Sequence, residues 1–349
     1  MVLPKKIGGD MKYDCIVVGA GICGLSAANY LATRGKLVLV IEKSNQIGGL
    51  CKEGYHKNTR FSMFGAHIFH TNDPEVWYFL TLFTDWEFYT HEVKSFCNGR
   101  LWSIPIDYNE LGEKTEWNQA LLNDLLYTEY SKKMWGGYYD DIKDNAIGRL
   151  NNKIRYFDNR YFKDKFQGIP THGYNNMFLA MIDSKNIVVK LNESADINYI
   201  DRNTPVIYTG RIDELVKRSD LPYMTMGFIP VINGSFPWSD KYGVINFPVD
   251  YDFIRAHSSK ILYNQDTKDD VIVYDYPRGV GPICYPIVYN ESKKLWGEVY
   301  AEVHEKYPHV IPAGRFGLFE YMDMDESVRS GIDAAIKVLK IKENFYDKH

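Results

Sequence analysis

Gly19, Gly21 and Gly24 stand at G-x-G-x-x-G spacing, and the acid Glu42 closes the apolar run that follows. These residue types suit a dinucleotide. Gly19 permits a tight turn, Gly21 lets the backbone approach a pyrophosphate, and Gly24 lets a helix pack closely on a strand. The helix start beyond the turn offers free N–H groups and a partial positive charge to phosphates. Glu42 sits where a carboxylate can accept hydrogen bonds from a ribose. The turn alone leaves NAD and FAD open.

The flanking sequence supplies the elements that position such a turn. Cys15–Val18 is a short apolar run, an alanine- and leucine-rich helical stretch follows, and Leu37–Ile41 is a second apolar run. This strand–turn–helix–strand order is the context the motif requires. Residues 92–106 alternate around Asn98-Gly99, which predicts a hairpin. Short apolar runs at Val188–Leu191 and Pro205–Tyr208 predict further strands. Thr225–Ile232, Gly243–Phe247, Val271–Tyr274 and Ile283–Val288 predict a second sheet, and Glu326–Leu339 a closing helix.

The chain has 349 residues, more than one compact core usually holds. We expect a discontinuous organisation. The dinucleotide domain takes 11–90, a hairpin 91–106, a small helical lobe 107–153, and a return to the dinucleotide domain 154–215. A substrate-side sheet domain takes 216–305, and 306–349 closes the dinucleotide domain. Residues 1–10 do not make a signal peptide and read as an extension. The net charge of −4 argues against a broad nucleic-acid surface but leaves room for a local basic pocket. No apolar span is long enough for a membrane helix. The five cysteines, odd in number and without a C-x-x-C pair, fit a reducing compartment, so a cytoplasmic protein is expected. His67 and His70 are spaced to share a metal, yet no carboxylate or cysteine cluster accompanies them, and no metal is expected.

Beyond Glu42, Gly48-Gly49 resembles the E-x(5)-G-G extension of glutathione-reductase-type FAD proteins, which favours FAD over NAD. Six further strings lie in order along the chain: Phe64-Gly-Ala-His-Ile-Phe-His-Thr71, Tyr130-Ser-Lys-Lys-Met-Trp-Gly136, Phe157-Asp-Asn-Arg-Tyr-Phe162, Phe166-Gln-Gly-Ile-Pro170, Tyr208-Thr-Gly-Arg-Ile-Asp213, and Gly314-Arg315 with Tyr321-Met-Asp-Met324. Together they resemble the UDP-galactopyranose mutase family from Tyr13 to about Leu339. The resemblance implies an α/β fold: a Rossmann-type FAD-binding domain, a small helical lobe and a substrate-side antiparallel sheet. It implies interconversion of UDP-galactopyranose and UDP-galactofuranose through a covalent adduct between N5 of reduced FAD and the anomeric carbon. A reductant such as NAD(P)H and a homodimer belong to the same expectation.

The resemblance also implies site residues. Gly19, Gly21, Cys23, Gly24, Glu42, Lys43, Gly49 and Leu50 would hold FAD from the first part of the chain. His67 would lie against the flavin with Ile68. Arg315 would meet the FAD diphosphate, and Asp323 and Met324 the flavin at the start of the last helix. Trp135, Tyr161, Asn246, Arg255, Tyr285 and Tyr321 match substrate contacts. Arg149, Arg255 and His67 match catalytic positions, Arg149 and Arg255 at the diphosphate. Three departures stand out. Met224 replaces an arginine that clamps the diphosphate in the family's Tyr-Arg-Ser-Leu string, and Arg211 is a candidate substitute. His91 stands where the family carries asparagine, and the helical lobe is short. A related FAD oxidase acting on another substrate is the alternative, since a scaffold does not fix chemistry.

Overall fold

A computed structural model describes residues 12–111, 119–142, 155–156 and 158–346. Its first layer is a five-stranded parallel sheet in the order Ile187–Lys190, Val38–Ile41, Cys15–Val18, Val206–Tyr208, Val310–Pro312. Its strands are short β-branched runs. Val17, Val38, Val40 and Ile207 bury into one core and Ile16, Leu39, Ile41 and Val206 into another. Burial on both faces is why they read as continuous apolar runs rather than alternating ones. Helix Ile22–Ala32 leaves the first strand and packs against the last helix, Met324–Tyr346. Gly24 makes its start possible: a Cβ there would stand 2.0 Å from the carbonyl oxygen of Gly19.

The second layer is a seven-stranded sheet. Its order is Ile283–Pro286, Tyr223–Ile232, Val271–Pro277, Arg255–Ser258, Val244–Asn246, Val93–Cys97, Arg100–Ile104. The last two strands form a hairpin that turns on Asn98 (φ 52°) and Gly99 (φ 74°), both left-handed as a two-residue hairpin requires. The sheet corrects one expectation. It is antiparallel except where Val244–Asn246 meets Val93–Cys97, which run parallel. The chain leaves the sheet after the hairpin and revisits the parallel sheet before returning. Such a long crossover is what a parallel pair needs.

One row across this sheet matters most. Register places Asn246 opposite Arg255, Arg255 opposite Asp275, and Asp275 opposite Phe228. Directly opposed residues share a face, so this row presents an amide, a guanidinium and a carboxyl side by side. Strand Arg255–Ser258 was not predicted: it reads Arg-Ala-His-Ser and carries no apolar run. Helix Asn290–Lys306 was also missed. Only Ser292, Val299 and Val303 along it are buried, while Leu295, Val299 and Val303 did offer helical spacing.

The small lobe runs from Gln119 to Trp135 with a π-helical turn at Asp124–Thr128. Leu122, Leu126 and Tyr127 bury against Val93, Trp102, Ile104 and Ile106 of the hairpin. Two smaller sheets complete the fold. Glu53–His56 pairs with Thr59–Ser62, and Phe166–Pro170 lies between Phe69–Thr71 and Trp86–Phe88. No helix among the described residues is long and apolar enough to cross a membrane.

Candidate active site

A single cavity of ≈1030 Å³ lies between the two large sheets and takes walls from both. That is about the upper limit of ordinary small-molecule pockets. Gly19, Gly21, Cys23, Glu42, Lys43, Gly49 and Leu50 line its dinucleotide side. No side chain caps helix Ile22–Ala32 at Gly21, so its first-turn amides have no side-chain acceptor. Gly48 bridges to Gly21 and donates its N–H to the Ala20 carbonyl at 2.7 Å. Gly49 has φ 59°, and a Cβ there would come within 3.0 Å of the Gly21 Cα. The two glycine pairs therefore pack backbone on backbone and leave the helix end open. Glu42 Oε2 accepts from Ala20 N at 2.8 Å, while Oε1 accepts from Ser44 N at 2.9 Å and Ser44 Oγ at 2.6 Å. The acid braces the turn as well as facing the cavity. Gly24 lies beneath the turn and does not line the cavity.

His67, Ile68, Arg315, Asp323 and Met324 line the middle. His67 Nδ1 is buried without a hydrogen-bond partner. Burial, then the charges of Arg315 and Arg255, push the imidazole pKa down to about 4, so it is neutral at pH 7. Arg315 is fixed by carbonyls, with Nε 3.0 Å from Met322 O and Nη1 2.8 Å from Cys284 O. His70 Nδ1 lies 2.9 Å from Asp164 Oδ2, and its ring stacks on Phe162. No group of three or more metal-binding side chains comes together among the described residues.

Tyr161, Asn246, Arg255, Tyr285 and Tyr321 line the far side. Arg255 Nη2 donates to Tyr130 Oη at 2.8 Å, and Nε donates to Asn246 Oδ1 at 3.3 Å. Burial opposes its charge, and Tyr130, Asp275 and Tyr285 more than offset this, so the guanidinium stays charged. Tyr285 and Tyr321 stack at 5.3 Å with rings 7° apart, and the Arg315 guanidinium sits 5.0 Å from the Tyr285 ring. Burial raises the Tyr161 and Tyr285 hydroxyls well above the usual tyrosine range, so both remain protonated. Trp135 is buried behind Tyr285, its ring centre 6.0 Å away, and does not line the cavity. Arg149 lies outside the described residues.

Two positions bear on the charge available to the cavity. Met224 is buried in an apolar cluster with Met134, Trp135, Cys284 and Ile287. Arg211, the candidate substitute, lines the cavity but is already engaged by an acid. Its Nη2 is 2.5 Å from Asp213 Oδ2 and its guanidinium packs over Tyr223, beside the dinucleotide sheet. His91 is buried and lines the cavity near Tyr161 and Phe162. Burial, then Arg255 and His70, lower its pKa to about 3. Sequence reasoning missed Tyr130, the partner of Arg255, and Tyr127, which lines the cavity. Tyr130 opens the Tyr-Ser-Lys-Lys-Met-Trp string; Tyr127 had no signal beyond helical spacing.

A parallel sheet with an open glycine turn, faced across one cavity by a sheet bearing an arginine and tyrosines, defines a dinucleotide-binding protein of Rossmann type. The sequence profile of the UDP-galactopyranose mutase family matches residues 125–321, and that of an NAD(P)-binding Rossmann-like domain matches residues 17–83. The chain belongs to the UDP-galactopyranose mutase family, whose members are flavin-dependent isomerases. It is 29% identical to the UDP-galactopyranose mutase of Mycoplasma genitalium, with 94% of this chain and 95% of the relative aligned. It is 23% identical to the dTDP-fucopyranose mutase of Escherichia coli, over 94% and 98% of the two chains. A crystal structure of reduced UDP-galactopyranose mutase shares the fold, with a TM-score of 0.69 at 15% identity over 95% of this chain and 96% of the other.

Proposed function

We propose that this protein is a UDP-galactopyranose mutase that interconverts UDP-galactopyranose and UDP-galactofuranose on reduced FAD. The observation that carries the reading is the shared cavity. An open phosphate-binding helix end and the buried Arg255, held by Asn246 and Tyr130, line one space. Residues and cofactor fit: the glycine pairs keep side chains off the helix end, and the neutral His67 lines the middle of the cavity.

When bound, reduced FAD supplies the nucleophile toward the anomeric carbon. The chain's own residues do the rest. Arg255 faces the diphosphate and stabilises the charge that grows as UDP leaves, a role suited to a preorganised cation in a water-poor site. Tyr285, Tyr321 and Tyr161 shape the sugar's space and hold their hydroxyl protons as hydrogen-bond donors. Neutral His67 can hydrogen-bond the flavin without adding positive charge beside it. Arg149 joins Arg255 at the diphosphate in this proposal.

The test is conversion of UDP-galactofuranose by dithionite-reduced holoenzyme. UDP-galactopyranose should form with no reductant consumed per turnover, and NAD(P)H should serve as an alternative reductant. The oxidised enzyme should be inactive. Hydrogen peroxide released in proportion to product would transfer the assignment to an oxidase.

A further inference from the structure

Helix Glu129–Trp135 meets the seven-stranded sheet through three cationic side chains. Arg255 holds Tyr130, as described above. Lys133 Nζ donates to three carbonyls of a single loop: Phe247 at 2.8 Å, Phe253 at 2.8 Å, and Tyr251. Arg278 Nη1 donates to the carbonyls of Lys133 at 2.7 Å and Met134 at 3.2 Å, which closes the helix C-terminus. Residues three apart share a helix face, so Tyr130 and Lys133 dock the same face one turn apart.

The loop that Lys133 grips joins strand Val244–Asn246 to strand Arg255–Ser258. Its two ends are therefore Asn246 and Arg255, the pair that Tyr130 completes. An ammonium has three donors, and here all three are used on one segment. Burial pulls the amine pKa down to about 8, against Asp252 and Asp250, so it is protonated at neutral pH. Lys133 itself does not line the cavity.

We propose that Lys133 is a positioning residue for the sugar-nucleotide site: it holds helix Glu129–Trp135 where Tyr130 meets Arg255 and Trp135 backs Tyr285. The proposal rests on reading the cavity as that site. Without the three bonds the helix keeps only Arg255 and Arg278 as polar ties to the sheet among the contacts described here. Tyr130 can then leave Arg255, and the guanidinium loses the partner that aims it.

The experiment uses FAD-loaded wild type, Lys133→Gln, Lys133→Arg, Tyr130→Phe and the Lys133→Gln/Tyr130→Phe double variant. UDP affinity, kcat and KM are measured with FAD content, together with amide hydrogen exchange by segment. In Lys133→Gln, UDP affinity should weaken about tenfold, which is ~1.4 kcal/mol. KM should rise with a smaller change in kcat, and FAD content should hold. Exchange should quicken in 129–135 and 247–253 but not in 15–41. Lys133→Arg keeps the charge, but its planar fork cannot converge on three oxygens, so its loss should be smaller. Because Lys133 acts through Tyr130, the double variant should be no worse than the worse single variant. Wild-type UDP affinity in both Lys133 variants, or strictly additive losses in the double variant, would overturn the positioning role alone. Failure of the wild type to bind UDP would instead sink the substrate reading, and the role for this site with it.

Discussion

The two sides of the cavity are made of different material. The dinucleotide side is backbone: two glycine pairs in contact, an uncapped helix end, and Glu42 bonded to the amides of Ala20 and Ser44. The substrate side is side chain: Asn246, Arg255 and Asp275 in one row across three strands, with Tyr130 arriving from a helix. A backbone site fails when atoms are added, because nothing can move aside. A side-chain site fails when a donor is removed or when a charge enters its apolar support. The predictions below test that contrast.

Gly24→Val should have the largest effect. Its Cβ would fall 2.0 Å from a backbone oxygen of the same turn. The protein should be purified colourless or insoluble, read by flavin absorbance after denaturation. A yellow, stable Gly24→Val protein would show that the turn has slack and would undo the contrast.

Met224→Arg comes next. The family resemblance alone made this substitution look like repair of a phosphate clamp. Met224 is 2% exposed within an apolar cluster, so the guanidinium would enter without a carboxylate partner. Stability should fall by about 3–5 kcal/mol, the scale of an uncompensated buried charge. Denaturant midpoints measure it. Tighter UDP binding at undiminished stability would mean the cluster can open to the phosphates.

Arg255→Ala should leave FAD bound and lower kcat by about 10²–10³, or ~2.7–4 kcal/mol, as removal of a preorganised donor does. It sharpens the comparison because the flavin spectrum should not change. An unchanged rate would remove Arg255 from the diphosphate.

These outcomes bear on how far the sequence alone could be read. The turn at Gly19, Gly21 and Gly24 was legible because a backbone site demands particular residues within one short segment. Asn98-Gly99 was legible for the same reason: both residues need left-handed backbone. The row at Arg255 was not legible from periodicity. Its strand spends its inward positions on Arg255 and His257, so it shows no apolar run, and its neighbours come from segments far along the chain. Only the family resemblance located Arg255, and only the coordinates joined it to Tyr130. Met224 shows a second difficulty. A missing cation reads from sequence as a deficit, while the structure places Met224 in an apolar cluster with Met134, Met226 and Trp135.

The smallest expected effect concerns Asp275, behind Arg255 in the same row. Its carboxyl is buried, with Oδ1 3.9 Å from His257 Nδ1 and no hydrogen bond to that oxygen. Burial raises its pKa to about 7, against the pull of Arg255. His257 offers no charge to help: burial, then Arg255 and His67, lower its pKa to about 3. The sign follows from proton counting. Between the unfolded carboxyl pKa, ~3.9, and the folded one, the native state holds a proton that the unfolded chain has released. Stability from this group is therefore complete below the unfolded value and is lost as pH rises through about 7. Asp275→Asn keeps the shape and removes the titration. From about pH 5 to about pH 8 the wild type should lose on the order of 1 kcal/mol more stability than the variant. Urea midpoints at several pH values would show this as two curves that diverge upward in pH. Parallel curves would mean that Asp275 is ionised throughout, paired with Arg255 as a salt bridge. The substrate side would then present a neutral pair to the diphosphate rather than a free cation.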